Sequence, residues 1–401
     1  MRECQVVTLR EVCDFKPPKA EVRSRLQPTD LVSFLPMEDL GILSKRAVPS
    51  RERLLAEVAG SYTYFANGDV LLAKITPCFE NGKLGIARDL KNGVGFGSSE
   101  YVVCRPHPKL NAEYLFYFLA QEVFREEGAS IMTGAVGHKR VPREYIEAQQ
   151  ILLPPLPEQH HIVKILDEVF EAIAQAKANT EKNLQNAREL WETTLQATFK
   201  NSKWPVVVID SVCSAIIDCV NKTAPIVEEP TPYKMIRTTN VRDGKISLER
   251  VNCVSEAVFA QWTRRQLPQV GDVILTREAP LGEVGMILTN DRVFLGQRLV
   301  SYRADPTQLD NEFLLYSFQE GRMKDQIRRL GSGATVQHMR VPDCSKLRLS
   351  IPPLGEQRRV VSRLDVVRTQ TQSLEQIYRQ KLLSFEGLKK AVLKKAFNGE
   401  L

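Results

Sequence analysis

A proline-rich stop, a Glu-Gln pair and a long charged segment occur twice in this chain, and that duplication limits what it can fold into. The first copy is Pro154, Pro155, Leu156, Pro157, Glu158, Gln159, continuing as HHIVKILDEVF. The second is Pro352, Pro353, Leu354, Gly355, Glu356, Gln357, continuing as RRVVSRLDVVR. The offset is constant, since 352 − 154 and 365 − 167 (the Asp of each copy) both give 198. Each copy then runs for about 40 residues without proline and closes on TLQATF (Phe199) or VLKKAF (Phe397). Solenoid units repeat every ~20–50 residues, so this period instead predicts a duplicated two-part plan, a globular region followed by a helix. The boundaries expected are 1–153, 154–200 for the first helix, 201–351, and 352–401 for the second.

The globular halves answer each other. ECQVVTLREVC (3–13) alternates like a half-buried strand, and KWPVVVIDSVC (203–213) matches it. GDVLLAKI (68–75) and GDVILTRE (271–278) predict strands opened by a turn-forming Gly-Asp, and SEYVVCRP a further strand. AEYLFYFLAQEVFREEG (112–128) predicts one helix with Leu115, Phe118, Leu119 and Val123 on one face and Gly128 at its stop. NEFLLYSFQEG (311–321) is its counterpart, and GHKRVP (137–142) pairs with QHMRVP (337–342). The loops between these landmarks diverge, as two sites of different specificity would require.

In the long segments, Ile162, Leu166, Val169, Ile173, Ala176, Thr180, Leu184, Ala187 and Trp191 step by three or four. Val360, Leu364, Val367, Thr371, Leu374, Tyr378, Phe385, Leu388 and Val392 do the same. Such stripes suit helix-on-helix packing. A helix of this length spans roughly 60 Å, beyond one domain, so each is expected to find a partner. Residues 158–199 carry four Lys/Arg against seven Asp/Glu (4 − 7 = −3), and residues 356–397 ten against four (10 − 4 = +6). Opposite net charge favours the two helices pairing with each other, antiparallel, in a pseudo-two-fold chain. The alternative is that each helix folds back on its own domain. The fold class expected is α+β.

The net charge of +7 leans toward an anionic partner. The cysteines, at 4, 13, 78, 104, 213, 219, 253 and 344, form no CxxC pair, and His160-His161 lacks a zinc-type ligand set. Without a signal-peptide core or a run of 18 apolar residues, a soluble cytoplasmic protein with reduced thiols is expected.

Catalytic signatures are missing. There is no GxxxxGK[ST] loop, and GVGFG (93–97) and GSG (331–333) read as turns. LPPL and IPPL lack the polar residue before the proline pair and the aromatic after it that an amino-methyltransferase needs. They read instead as helix-start punctuation, with Glu158 and Glu356 favoured by the helix dipole. Glu80 and Lys83 in FENGK have no paired Asp at nuclease spacing.

What remains suits reading nucleic acid. Arg or Lys recognises guanine, and Asn or Gln recognises adenine. Asn81 and Lys83 lie after the first GDV strand, Arg277 closes the second, and Gln297 with Arg298 forms another candidate pair. His138, Lys139 and Arg140, answered by His338 and Arg340, follow glycine-rich turns as phosphate holders do. Any one Lys or Arg taken singly reads more readily as solvated surface; their paired placement in both halves is what favours a nucleic-acid role.

PPLPEQ…LD and PPLGEQ…LD before two long helices, GDVLLAKITPCFENGK and GDVILTREAPLG, and the ending KKAFNGEL together resemble a specificity subunit of a type I restriction–modification system, over essentially the whole chain. The first helix departs from the pattern in ending KNSKW, which fits its place before a second domain. The resemblance implies two target recognition domains, each reading half of a split site in double-stranded DNA. It implies helices that act as spacer and dock two methyltransferase subunits, joined by motor-nuclease restriction subunits, with no membrane partner. S-adenosylmethionine, ATP and magnesium would belong to those partners, the chain itself being non-catalytic. Competing classes are a self-contained site-specific nuclease or methyltransferase with diverged motifs, and a coiled-coil adaptor that does not touch DNA.

Overall fold

The computed structural model describes residues 5–135, 137–200, 203–333 and 337–401, so Glu3 and Cys4 of the first strand landmark, and Asn201 and Ser202 after the first helix, lie outside the described residues. The chain forms two compact units, 1–181 with 380–401, and 182–379. Each long helix, Leu156–Phe199 and Leu354–Phe397, therefore contributes to both.

In the first unit an antiparallel run of strands places Cys13–Phe15, Tyr101–Pro106, Val70–Ala73 and Leu84–Ala87 side by side, with Arg46–Ala47 added in parallel at the edge. The second unit repeats the order with Cys213–Asp218, Leu299–Ala304, Val273–Arg277 and Leu281–Met286. The chain's entry strand closes on its exit strand in both: Gln5–Thr8 on Gln150–Leu153, and Val206–Val208 on Arg348–Ser350. A second sheet carries a parallel pair in each unit, Leu31–Leu35 with Val94–Gly97 and Tyr233–Ile236 with Arg292–Leu295. Divergence is concentrated there. Among the described residues, the first unit adds Arg51–Leu54 and Thr63–Ala66, and the second adds the short Asn252–Cys253.

The two sequence motifs of each half are buried fasteners. Asp69 and Asp272, from the Gly-Asp turns, are nearly inaccessible. Each accepts two hydrogen bonds from one guanidinium, Arg105 at 2.7 and 2.9 Å and Arg303 at 2.8 and 2.7 Å, and one from a backbone N–H, of Ala66 or Gln269. The glycine before each Asp has φ near +90° (Gly68 and Gly271), which favours a residue without Cβ.

Gln159 and Gln357 are fully buried. The Oε1 of Gln159 accepts from Asn111 N at 2.8 Å, and its Nε2 donates to the carbonyls of Lys109 and Pro154, both at 2.8 Å. Gln357 does the same with Asp310 N at 2.9 Å and the carbonyls of Gln308 and Pro352 at 2.8 Å. Asn111 and Asp310 are themselves N-caps of the domain helices. One amide side chain thus ties the start of each long helix to the start of its neighbouring domain helix. Two turns on, Asp167 accepts a hydrogen bond from Tyr117 and Asp365 one from Tyr316. Burial, then this bond to a carboxylate, raises the pKa of both phenols.

Helix pairing occurs inside each unit. In the first, Lys177 meets Glu386 at 2.9 Å and the Lys389 ammonium lies 5.8 Å from the Phe170 ring centre. In the second, Arg188 meets Glu375 at 3.4 Å and Arg368 covers the Trp191 ring at 4.8 Å. As one helix number rises the other falls, so the pairing is antiparallel. The helices do not fold back alone on their own domains. The ion pairs, however, join the few cations of the first helix to the few anions of the second. The charge excess is used elsewhere: Asp167 holds Lys45 at 2.6 Å, and Glu122 holds Lys390. The apolar stripe of the first helix lies buried or half-buried as expected. In the second helix Leu374 and Leu388 are exposed, because the inward stripe runs one position later, through Glu375 and Lys389.

Four local expectations are overturned. The segment 112–128 is two helices, Ala112–Leu119 and Glu122–Ser130. Gln121 is extended at the break (ψ 140°), and the Arg125 guanidinium takes up the freed carbonyls of Ala120 and Gln121 at 2.6 and 3.3 Å. Val123 is consequently exposed, and Gly128 sits inside the second helix, where a Cβ would come within 2.5 Å of the Phe79 ring. ECQVVTLREVC is not one strand, since Leu9–Val12 is a helical turn. GVGFG is no turn beyond Gly93: Val94–Gly97 is a buried strand, and a Cβ on Gly95 would overlap the Phe65 ring. Gly331–Ser332 likewise pairs with His338–Met339. All seven cysteines among the described residues are free.

Candidate nucleic-acid interface

Sequence-selected residues meet where the GDV strand ends. In the first unit Lys74 N donates to the carbonyl of Glu100 at 2.9 Å, Thr76 N to that of Lys139 at 2.9 Å, and Val141 N to that of Lys74 at 2.9 Å. These bonds draw the segment 138–141 across the strand end and bring His138, Lys139 and Arg140, all exposed, to one surface. Arg140 grips Glu100 with two parallel bonds, Nε to Oε2 at 2.8 Å and Nη2 to Oε1 at 2.7 Å, while Nη1 donates to the His138 carbonyl at 3.1 Å. Those bonds from Arg140, outweighing burial and helped by the charges of Lys74 and His138, hold the Glu100 carboxyl below its ordinary pKa. Beside this patch lies a cavity of about 470 Å³ whose lining includes Lys16, Tyr62, Lys74, Ser99, Tyr101 and Arg143. Lys16, Lys74 and Arg143 in this lining are side chains of the type that contacts phosphates.

The second unit keeps the first of these backbone bonds and holds the segment 338–340 by different contacts. Arg277 N donates to the Arg298 carbonyl at 2.8 Å, and Arg277 Nη1 to the Met339 carbonyl at 3.0 Å. Glu278 bridges to His338. Arg298 therefore occupies the place of Glu100, in the left-handed region (φ 69°), with Nε 3.5 Å from Glu278. Gln297 is half-buried next to it, its Oε1 3.4 Å from the Thr223 hydroxyl. Arg340 is exposed and donates to Asp343 at 2.9 Å.

Asn81 and Lys83 stand apart. Asn81 is exposed. Lys83 turns inward, its ammonium donating to the carbonyls of Met37 at 2.5 Å and Glu38 at 3.2 Å, which makes it a clamp between loops. Lys74 and Glu100 were not singled out from sequence. The signal for Lys74 was present, because laying GDVLLAKITP on GDVILTREAP sets Lys74 on Arg277. Among the described residues no three His, Cys, Asp or Glu side chains gather as a metal-binding group, and no helix is long and apolar enough to cross a membrane.

Residues 1–185 and 201–382 each match the family model of the type I restriction modification DNA specificity domain. The chain is 37% identical over 198 residues to the type I restriction enzyme EcoEI specificity subunit of Escherichia coli, covering 49% of this chain and 32% of that one. It is 37% identical over 183 residues to the EcoAI specificity subunit of the same species, covering 44% and 31%. The aligned stretch thus spans about a third of those relatives' length. The MjaVIII specificity subunit of Methanocaldococcus jannaschii is 25% identical over 310 residues, covering 72% of this chain and 70% of that one. Among solved structures, the HsdS subunit from Thermoanaerobacter tengcongensis superposes with a TM-score of 0.71 at 20% identity, over 100% of this chain and 98% of that one. A chain solved in a study of complex assembly and conformational transition of the type I R-M system gives 0.78 at 20% identity, over 100% and 99%. With both globular halves and their strand orders accounted for, this chain belongs to the type I restriction modification DNA specificity domain family.

Proposed function

We propose that this chain is a DNA-reading subunit in which each unit recognises one half of a bipartite, asymmetric site. The observation that carries the reading is a strand-end corner present in both units around one shared backbone bond, Lys74 N to the Glu100 carbonyl and Arg277 N to the Arg298 carbonyl, with different side chains presented at it: Glu100 and Arg140 in one unit, Arg298 and Gln297 in the other. A shared frame with unlike readers suits an asymmetric site. Contact with phosphates by Lys74, Lys139 and their neighbours makes binding steeply salt-dependent. Replacing Lys74 and Lys139 together by Ala is expected to weaken binding to every sequence and to lower the slope of log affinity against log salt by about two. A pure adaptor would show no such binding.

The chemistry belongs, in this reading, to other chains. Two methyltransferase subunits and motor-nuclease restriction subunits would dock on the helices, bringing S-adenosylmethionine, ATP and magnesium. Exposed apolar residues support a docking role: Leu190, Val366 and Ile377 in one unit, and Leu383 and Leu388 in the other. Purified alone, the chain is expected to bind DNA without cleaving or methylating it; either activity would instead establish a self-contained enzyme.

Both long helices contribute residues to both units, and their length is expected to set the gap between half-sites. Four residues inserted in each helix add about 6 Å, little more than one turn. The preferred gap is expected to grow by about two base pairs at 3.4 Å per step. An unchanged gap would end the ruler idea.

A further inference from the structure

We propose that Arg140 reads a guanine directly, with Glu100 as its positioning residue, and that Arg298 with Glu278 does so in the second unit from the opposite wall of the equivalent corner. The inference rests on the DNA-reading role proposed above.

A phosphate holder needs charge and tolerates a loosely placed side chain; a base reader needs a fixed plane of donors. Arg140 has the second character. Its side edge is spent on Glu100 at 2.8 and 2.7 Å, so the pair is close to neutral and contributes little to attraction for a phosphate. A guanidinium carries five N–H groups, and three are committed, to Glu100 and to the His138 carbonyl. Two remain, and Nη1 and Nη2 can offer a donor pair of the kind that matches guanine O6 and N7. The arginine is also the more accessible partner, at 47% side-chain exposure against 21% for Glu100.

The second unit keeps an arginine–carboxylate pair while exchanging the positions, joined by a single 3.5 Å contact where the first unit has two hydrogen bonds. The place of Glu100 is taken by Arg298, and its carboxylate partner, Glu278, comes from the end of the GDV strand, where the first unit has Ile75. Arg298 is again the more accessible partner, 51% against 30%. An arginine–carboxylate pair is thus present in both corners, although the residues supplying it are not equivalent and two hydrogen bonds hold it only in the first. Divergence that preserved only net charge would not require the pair to be rebuilt from other positions.

The test uses the full-length chain, selecting from a duplex library randomised across the site, with the affinity of enriched and scrambled duplexes then measured at several salt concentrations. Wild-type protein is expected to enrich one guanine in one half-site through Arg140. R140K keeps the charge and loses the fork. It should cut discrimination at that guanine about tenfold or more, with the salt slope unchanged. E100Q releases Arg140. It should lose discrimination at the same base while scrambled duplexes bind more tightly and the slope steepens by about one. R298K should relax one position in the other half-site only. Preferences unchanged at every position in both R140K and E100Q would overturn the proposal and leave the DNA-reading role standing. No enrichment by wild-type protein would overturn that role, and this inference with it. Melting temperatures within a degree or two of wild type separate these outcomes from misfolding.

Discussion

Truncation after Arg379 is expected to unfold the first unit. Residues 380–401 are counted in its fold, and Leu393 and Ala396 lie in one core with Tyr114, Leu115, Ile162 and Leu166. Phe397 closes that core, its ring 4.8 Å from Tyr114 and 5.5 Å from Phe118, centre to centre. Each large buried side chain removed costs about 2–5 kcal/mol. Several together match the ~5–15 kcal/mol of a whole domain. The truncated chain should bind a hydrophobic dye, lose its cooperative transition for this unit and be digested first between residues 5 and 181. F397A is the graded version, with an expected loss of about 3 kcal/mol. A truncated chain melting like the intact one would show that the second helix plays no part in the first unit's core.

The second large effect concerns the Glu-Gln motif. Q159M keeps the volume of the side chain and removes all three of its hydrogen bonds, leaving Asn111 N and the carbonyls of Lys109 and Pro154 without that partner. Buried groups left unsatisfied cost about 1–3 kcal/mol each, so a loss of about 4 kcal/mol is expected. For a unit of some 200 residues that corresponds to a fall of about 10 °C in Tm. Q159E tests the cause. Its carboxylate can still accept from Asn111 N but can donate to neither carbonyl, so it should be at least as damaging as Q159M. Q357M and Q357E should repeat both results in the second unit through Asp310, Gln308 and Pro352. Melting within 2 °C of wild type in all four would mean that the amide only fills space.

These cases mark what could be read from the residues and what could not. The repeated Glu-Gln and Gly-Asp were visible as repeats, and the structure supplies their reason: each buries a polar side chain with a full set of partners. The apolar stripe of the first helix was legible because packing and periodicity agree there. In the second helix charged residues lie within the stripe, and period alone could not show that Glu375 and Lys389, rather than Leu374 and Leu388, turn inward. The break at Gln121 was hidden because the apolar pattern continues past it, while the Arg125 side chain that completes it carries no periodic signal. Opposite net charge led to the right pairing of helices by an incomplete argument, since Lys177–Glu386 and Arg188–Glu375 use the minority charges. At the candidate interface, His138 with His338 and Arg140 with Arg340 were legible as basic residues at matching places in a duplicated frame, whereas Arg277 and Arg298 answer Lys74 and Glu100, which were not singled out. Lys83 was misleading, because the carbonyls it holds, at Met37 and Glu38, lie more than forty residues away. Glu100 was passed over because a carboxylate does not look like part of a DNA surface until its partner is seen.

The central claim is that the two units read separate half-sites, and sequencing the duplexes that the full-length chain selects from a random library tests it most directly. Two short specified blocks separated by an unread gap of fixed length are expected, with K139A and R140A together altering one block and R298A the other. A single contiguous block, or substitutions in one unit that change both blocks, would contradict it.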